Sequence, residues 1–264
     1  MIKIPFYLLL FSWLNILFQF FLNPVREYPY KSDFFELDQL GGIYTVYQTE
    51  LNKYDQNNNH YNYSNSLLGR ISKVDCSDPF RILVFNQDFN KIIFLDNKLT
   101  EITTPISISD LGYNALSVCQ SRDGGFWIFD NAQMKLISFD KNLNQQNQSI
   151  QISSLLKADQ IEDVFMLERG ERIYLGIRNE GILVFDTYGT YLKTFPITNI
   201  RAFQVVDNKI IYCNNDKLTI YDITNFNKEI LDLPKKKCIS ARVKQNEIIL
   251  QFNDKLIVYE LNNK

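Results

Sequence analysis

Hydrophobic and polar positions along this chain form a pattern that recurs six times. Its clearest copy spans residues 81–96 (RILVFNQDFNKIIFLD), where two short apolar runs flank a polar turn. Runs of β-branched and aromatic residues bounded by Asn, Asp or Gly predict paired β-strands. The other copies span residues 41–55, 124–140, 172–186, 208–222 and 246–260.

Each copy ends on an acidic residue, and these residues define the period. They lie 36 to 46 residues apart along the chain: Asp55, Asp96, Asp140, Asp186, Asp222 and Glu260. A period of about 40 residues with several strands per unit is typical of a β-propeller blade. The pattern therefore predicts an all-β protein, a six-bladed β-propeller that occupies residues 23–264 as one domain.

Two further strands per blade complete the prediction. Innermost strands are expected at residues 72–76, 117–121, 163–168, 201–206 and 239–244. Outer strands are expected at residues 102–108, 147–153, 192–197 and 228–234. Proline is tolerated in them, because an edge strand has backbone N–H groups without a partner strand and can lose one of these donors. The polar, Asn-rich segment 56–66 is predicted to be a loop.

The last blade has no outer strand of its own, because the chain ends four residues after Glu260. Residues 25–30 (VREYPY) match the outer-strand segment 192–197 (LKTFPI) position for position. An unpaired edge strand invites aggregation. We therefore expect residues 25–30 to close the last blade by pairing with residues 256–260, with Pro29 turned outward.

The N-terminus has a different composition. No charged residue occurs between Ile4 and Val25, and Lys3 precedes this apolar run. A positive start followed by an apolar core is typical of an export signal, and the run is also long enough to span a bilayer. Residues 1–22 are thus a cleaved signal peptide, a retained membrane anchor or an unexported core helix. The first two place the propeller outside the cytoplasm, periplasmic or anchored facing the periplasm, with membrane contact only through uncleaved residues 1–22.

The net charge and the residue types limit the kinds of site that this chain can form. The net charge is −2 without any basic stripe, which argues against binding to nucleic acid. His60 is the single histidine, so a triad or a multi-histidine zinc site has no basis. Cys76, Cys119, Cys213 and Cys238 include no CxxC pair. Export would permit disulfides, but buried free thiols are the simpler interpretation. We expect no catalytic residue, no metal and no cofactor.

Polar residues near the predicted innermost strands are candidates for binding at the mouth of a central channel. The set is Asp75, Asn114, Asp159, Glu162, Asn199 and Arg201. Carboxylate and amide oxygens are the ligands that calcium takes, but no calcium motif accompanies them. Polar residues at a channel mouth also suit a protein partner or a small ligand.

The blade sequence, best seen in residues 124–140 (GGFWIFDNAQMKLISFD), resembles the NHL and TolB-like six-bladed propellers of exported bacterial proteins. That resemblance implies a scaffold around a central channel, with partners or ligands at one face. Residues 121–127 (SRDGGFW) are also similar to the Asp-box of sialidases, although the motif occurs once and is interpreted as a turn.

Three functions remain open. The first is a non-catalytic interaction scaffold of the cell envelope, a monomer or a subunit of a hetero-complex, that binds an envelope protein through one propeller face. The second is a propeller that binds or senses a glycan or small molecule. The third is a calcium-dependent hydrolase or lyase. Propeller folds host all three, so fold alone does not choose among them.

Overall fold

The structure is a computed structural model that describes residues 21–57, 59–157, 161 and 163–262. Most of the predicted leader, residues 1–20, lies outside this range. The strands, in chain order, are β1 Phe21–Tyr28, β2 Phe34–Leu37, β3 Ile43–Tyr47, β4 Glu50–Tyr54, β5 His60–Ser64, β6 Lys73–Asp75, β7 Ile82–Asn86, β8 Lys91–Leu95, β9 Ile106–Ser107, β10 Ala115–Gln120, β11 Phe126–Asp130, β12 Lys135–Phe139, β13 Gln145–Gln148, β14 Val164–Arg169, β15 Arg172–Ile177, β16 Gly181–Asp186, β17 Tyr191–Phe195, β18 Phe203–Val206, β19 Lys209–Asn214, β20 Lys217–Asp222, β21 Lys228–Asp232, β22 Ser240–Lys244, β23 Glu247–Gln251 and β24 Leu256–Asn262. Short 3-10 helices span Ser66–Leu68, Gln87–Phe89 and Ile152–Leu155.

These strands form six antiparallel sheets of four strands each, which confirms the predicted six-bladed propeller. Blades one to five are β2–β5, β6–β9, β10–β13, β14–β17 and β18–β21 in sequence order. Blade six has the order β1-β24-β23-β22. Among the described residues, no helix is long and apolar enough to cross a membrane.

Most of the middle strands are apolar on both faces because each blade packs between two neighbours. In β7, all five residues are buried. Ile82 and Val84 belong to the cluster shared with blade one, whereas Leu83 and Phe85 belong to the cluster shared with blade three. Successive side chains of a strand point to opposite sides, so one continuous apolar run serves two interfaces.

The repeated acidic residue caps the turn between the third and fourth strands of a blade. Asp140 accepts hydrogen bonds from the backbone N–H of Asn142 at 2.8 Å and of Asn144 at 2.9 Å. These bonds hold the pKa of the Asp140 carboxyl below its usual range. The same two-bond arrangement occurs at Asp55, Asp96 and Asp186, and Asp222 accepts from the N–H groups of Thr224 and Asn225. The period in the sequence therefore has a local cause, since short polar side chains stabilise turns in this way.

Closure by the N-terminus is confirmed, with shifted bounds. Strand β1 pairs antiparallel with β24, and Arg26 lies opposite Val258. It begins at Phe21 and ends at Tyr28 instead of spanning residues 25–30. Pro29 therefore lies outside the strand, while Pro24 lies inside it, next to an irregularity in the register. Proline fits there because β1 is an edge strand and one of its two rows of N–H groups has no partner strand.

Three predicted outer segments are wrong in detail. The segment 56–66 is not a continuous loop, because β5 occupies residues 60–64 within it. The predicted strand 102–108 is reduced to β9, and the predicted strand 147–153 lies largely beyond β13, where a 3-10 helix begins at Ile152. Outer strands contact one neighbouring strand and much solvent, so their hydrophobic pattern carries little information.

Candidate functional site

A cavity of about 290 Å³ lies at one end of the central channel. Its walls are residues of the innermost strands β2, β6, β14, β18 and β22, together with the turns that follow them. It opens on the face formed by the turns that join the first to the second and the third to the fourth strand of each blade. We call this the mouth face. The turns at the other end of the blades form the opposite face.

A buried ion pair crosses the wall of the cavity between blades six and one. Arg242 donates from Nε and Nη2 to the two carboxylate oxygens of Glu36, at 3.0 and 2.8 Å. The Arg242 side chain is 4% exposed and the Glu36 side chain 15%. Two parallel bonds between a guanidinium and a carboxylate fix both groups in one geometry.

Lys73, on the innermost strand of blade two, lines this cavity and also an adjacent one of about 320 Å³. Its Nζ lies 3.4 Å from the centroid of the Phe165 ring, and the residue is 7% exposed. Burial lowers the pKa of the Lys73 ammonium, while the nearby charges of Glu36 and Asp75 oppose that shift. An ammonium group has three N–H donors, and a ring face satisfies it only electrostatically.

The carboxylates of the cavity are all held by donors of the chain. Asp75 accepts from the backbone N–H of Ser77 at 2.9 Å and of Gln120 at 2.8 Å, which joins blades two and three. Glu168 accepts from the backbone N–H of Arg122 at 3.1 Å and from Trp127 Nε1 at 3.0 Å, which joins blades three and four. Burial raises the pKa of the Glu168 carboxyl.

The predicted mouth residues do not form one site. Asp75 lies in the cavity, as the last residue of β6. Asn114, Asn199 and Arg201 precede innermost strands and therefore lie toward the opposite face. Asp159 and Glu162 lie outside the described residues. The sequence pattern did not show which end of an innermost strand lies at the cavity, because the residues at both ends are polar.

Several residues of the cavity were not found from the sequence: Glu36, Lys73, Phe165 and Arg242. For the three charged residues, the signal is a charge inside a short apolar strand, as in SKVDC (72–76) and SARVK (240–244). Charged residues are rarely buried unless they are paired or functional. A charge at an alternating position of an innermost strand therefore marks the channel.

The histidine does not line the cavity, and of the four cysteines only Cys76 does. His60 does not lie in a loop: it begins β5, stacks on Tyr54 at a centroid distance of 4.9 Å, and its Nε2 is 2.8 Å from Asn52 Oδ1. The four cysteines are free. Burial raises the pKa of the Cys76 and Cys119 thiols well above the usual value. A hydrogen bond from Cys238 lowers the pKa of the Cys213 thiol.

No group of three or more His, Cys, Asp or Glu residues in the described part of the chain is arranged to hold a metal ion. The Asp-box-like segment is a turn between β10 and β11. Gly124 adopts φ +82°, and a Cβ on Gly125 would lie 1.8 Å from the carbonyl oxygen of Phe139. The two glycines are thus explained by a tight turn and a close approach of backbone.

The fold and cavity define a six-bladed propeller with charged groups inside its channel. No family model matches the chain, and no curated protein matches it. Solved structures match in fold. One is a catalytically inactive virginiamycin B lyase from Staphylococcus aureus with quinupristin, at 11% identity and TM-score 0.59, covering 86% of this chain and 80% of that chain.

Two other matches are to chains of protein assemblies. A chain of the mitotic checkpoint complex matches at 9% identity and TM-score 0.63, covering 92% of this chain and 93% of that chain. BBS1N in complex with ARL6DN matches at 13% identity and TM-score 0.56, covering 84% of this chain and 76% of that chain. At these identities the likeness shows the propeller fold alone, and the NHL or TolB-like subtype remains a resemblance.

Proposed function

We propose that this protein is a non-catalytic scaffold of the cell envelope that binds a protein partner through the mouth face. The observation that carries the proposal is a set of large apolar side chains exposed on that face. They come from blades one, two, four and five: Leu40, Phe80, Ile102, Tyr188 and Phe226. Their exposed fractions range from 49% to 75%.

The distribution of these residues suits a partner that covers the channel. Leu40 and Phe80 lie in turns next to the cavity mouth, whereas Tyr188 and Phe226 lie in turns farther from the axis. Apolar groups that surround a polar cavity resemble an interface, in which aromatic anchors are distributed among polar groups. The opposite face exposes Leu67, Phe89 and Ile150.

The structural neighbours support protein binding more than they support catalysis. Two of the neighbouring chains are described in complexes with other proteins. The lyase neighbour is described as catalytically inactive after one histidine is replaced by alanine. The single histidine of this chain lies in β5, the outer strand of blade one, and outside the cavity lining. That placement favours a scaffold over a histidine-dependent lyase.

The envelope location in this proposal rests on the charge-free run between Ile4 and Val25. A propeller carried out of the cytoplasm by this segment would meet partners at the membrane or in the space beyond it. Strand β1 begins at Phe21, so a segment that remained uncleaved would join the propeller directly through its closing strand.

A capture experiment with matched variants tests the proposal. Full-length tagged protein is recovered from detergent-solubilised envelopes, and bound proteins are quantified by mass spectrometry. The mouth-face variant carries Leu40→Asp, Phe80→Asp and Tyr188→Asp, and the control carries Leu67→Asp, Phe89→Asp and Ile150→Asp. We expect a stoichiometric partner with the wild type and the control and its loss with the mouth-face variant. Equal capture by the two variants, or no stoichiometric partner, contradicts the proposal.

A further inference from the structure

We propose that the channel cavity is a binding site for a small organic carboxylate with an apolar body, whose anionic group pairs with the ammonium of Lys73. This site would act in addition to the protein-binding face, because it lies inside the channel and is lined by different residues.

The formal charges of the cavity balance, but its hydrogen bonds do not. Acidic and basic side chains are equal in number in the lining: Glu36, Asp38, Asp75 and Glu168 against Lys73, Arg169, Arg242 and Lys244. Every one of these carboxylates accepts hydrogen bonds from the chain, Asp38 from the N–H of Gly42 at 2.7 Å and the hydroxyl of Tyr44 at 2.9 Å. The carboxylates are thus engaged by donors of the chain, and the donors that an anionic ligand could use are on the cations.

Lys73 is the strongest of these cations as a ligand-binding group. Arg242 is already engaged by Glu36, whereas Lys73 has no hydrogen-bond acceptor or ion pair among the residues that the structure describes. A buried ammonium without an acceptor has lost hydrogen bonds to water, and the nearby charges of Glu36 and Asp75 offset only part of that cost. A carboxylate oxygen placed in the cavity beside Nζ would restore the acceptor.

Apolar surface next to Lys73 selects the rest of the ligand. Leu37, Phe165 and Leu167 line the same cavity and are partly exposed. Small-molecule pockets combine such surface with a few polar groups that fix orientation, and their volumes begin at about 300 Å³. A cavity of about 290 Å³ thus suits a small aromatic or aliphatic acid better than a bare inorganic anion.

A second cavity beside the first is also rich in donors. This cavity of about 370 Å³ on the mouth face shares Ser77, Glu168 and Arg169 with the first and is lined by Arg81 and Arg122 as well. Nη1 of Arg81 is buried without a hydrogen-bond partner, and its guanidinium lies 3.4 Å from the Phe94 ring. The lining of this second cavity has three guanidinium groups against the carboxylates of Asp78 and Glu168, and an excess of positive charge attracts anions.

Calorimetric titration of the full-length protein with a small panel tests this site. The probes are benzoate and hexanoate, their neutral amides benzamide and hexanamide, the amine benzylamine, and inorganic phosphate. We expect the carboxylates to bind at least about tenfold more tightly than the amides, because a hydrogen bond to a charged group is worth at least that factor. Benzylamine and phosphate should bind more weakly than benzoate.

Variants assign the effect to Lys73. Lys73→Met keeps the length of the side chain without its charge, and removing a buried unpaired charge should leave the protein folded, which near-UV circular dichroism checks. Carboxylate affinity should fall about tenfold or more in Lys73→Met and stay unchanged in Lys228→Met, an exposed lysine on the outer strand β21. Equal affinity for acid and amide, a preference for benzylamine or phosphate, unchanged affinity in Lys73→Met, or absence of carboxylate binding overturns the proposal.

Discussion

At the scale of single residues, two ion pairs of similar length have different energetic roles. Arg242 and Glu36 are 2.8 Å apart in the channel, and Arg26 and Glu247 are 2.7 Å apart on the surface of blade six. The Arg26 side chain is 44% exposed, whereas Arg242 is nearly inaccessible to water. Breaking a buried pair leaves an uncompensated charge in a poorly solvated place, while water solvates the remaining partner of a surface pair.

We expect Arg242→Leu to lower the free energy of unfolding by about 3–5 kcal/mol, since Glu36 would stay buried without its partner. Arg26→Leu should cost less than about 1 kcal/mol. Urea denaturation measures both. Adding Glu36→Gln to Arg242→Leu should recover part of the loss. Similar losses in the two single variants would show that the burial of Arg242 has no energetic consequence.

At the scale of elements, the turns explain more of the sequence than the strands do. The capping aspartates recur because each third-to-fourth-strand turn needs an acceptor for its N–H groups, and the turn before β11 needs two glycines for two different reasons. Gly124 has a positive φ and open space around its Cβ position, whereas Gly125 has ordinary φ but faces the Phe139 carbonyl. Conformation constrains the first glycine and contact constrains the second.

These two reasons predict unequal costs for the same substitution. Gly124→Ala should lose about 1–2 kcal/mol, the penalty of an L-residue in the left-handed region. Gly125→Ala should lose about 3 kcal/mol or more, because the new methyl group forces β11 and β12 apart. Thermal unfolding followed by circular dichroism ranks the variants. A smaller loss for Gly125→Ala than for Gly124→Ala would be inconsistent with the close approach of Gly125 to Phe139.

At the scale of the whole molecule, closure depends on β1. This strand covers the edge of β24 by backbone pairing, and two ion pairs lie across the contact, Arg26–Glu247 at 2.7 Å and Lys255–Glu27 at 2.8 Å. Without β1, the backbone groups of β24 on that side would be unpaired, and blade six would have three strands. Unpaired edges of this kind template association between chains.

Two truncations separate the closing strand from the segment before it. A chain that begins at Phe21 should retain the stability of the propeller, because it keeps all of β1. A chain that begins at Pro29 lacks β1 and should unfold at a lower temperature and scatter light as it aggregates. Differential scanning calorimetry and light scattering measure the outcome. Equal stability of the two truncated chains would show that β1 is dispensable for closure.

The sequence by itself determined the number of blades, the middle strands, most of the innermost strands and the origin of the closing strand. These features depend on local patterns. One is the apolar run whose side chains pack alternately against the two neighbouring blades, and the other is the aspartate that caps its own turn. The bounds of the outer strands were less determined, because an outer strand such as β5 is half exposed and polar residues fit it as well as apolar ones. The start of β1 was ambiguous for a related reason, since Phe21 and Leu22 suit an apolar leader and an edge strand equally.

Only the tertiary structure decided where the charged residues of the innermost strands meet. Glu36 and Arg242 are 206 residues apart in sequence and form two hydrogen bonds, and Lys73 lies beside Phe165 from another blade. No local pattern encodes such contacts, because they follow from the closure of six sheets into a ring. The same closure placed Asp75 in the cavity and left Asn114, Asn199 and Arg201 toward the other face. The residues of a binding site in a propeller are brought together by ring closure, whereas the strands of each blade are encoded by that blade's own sequence.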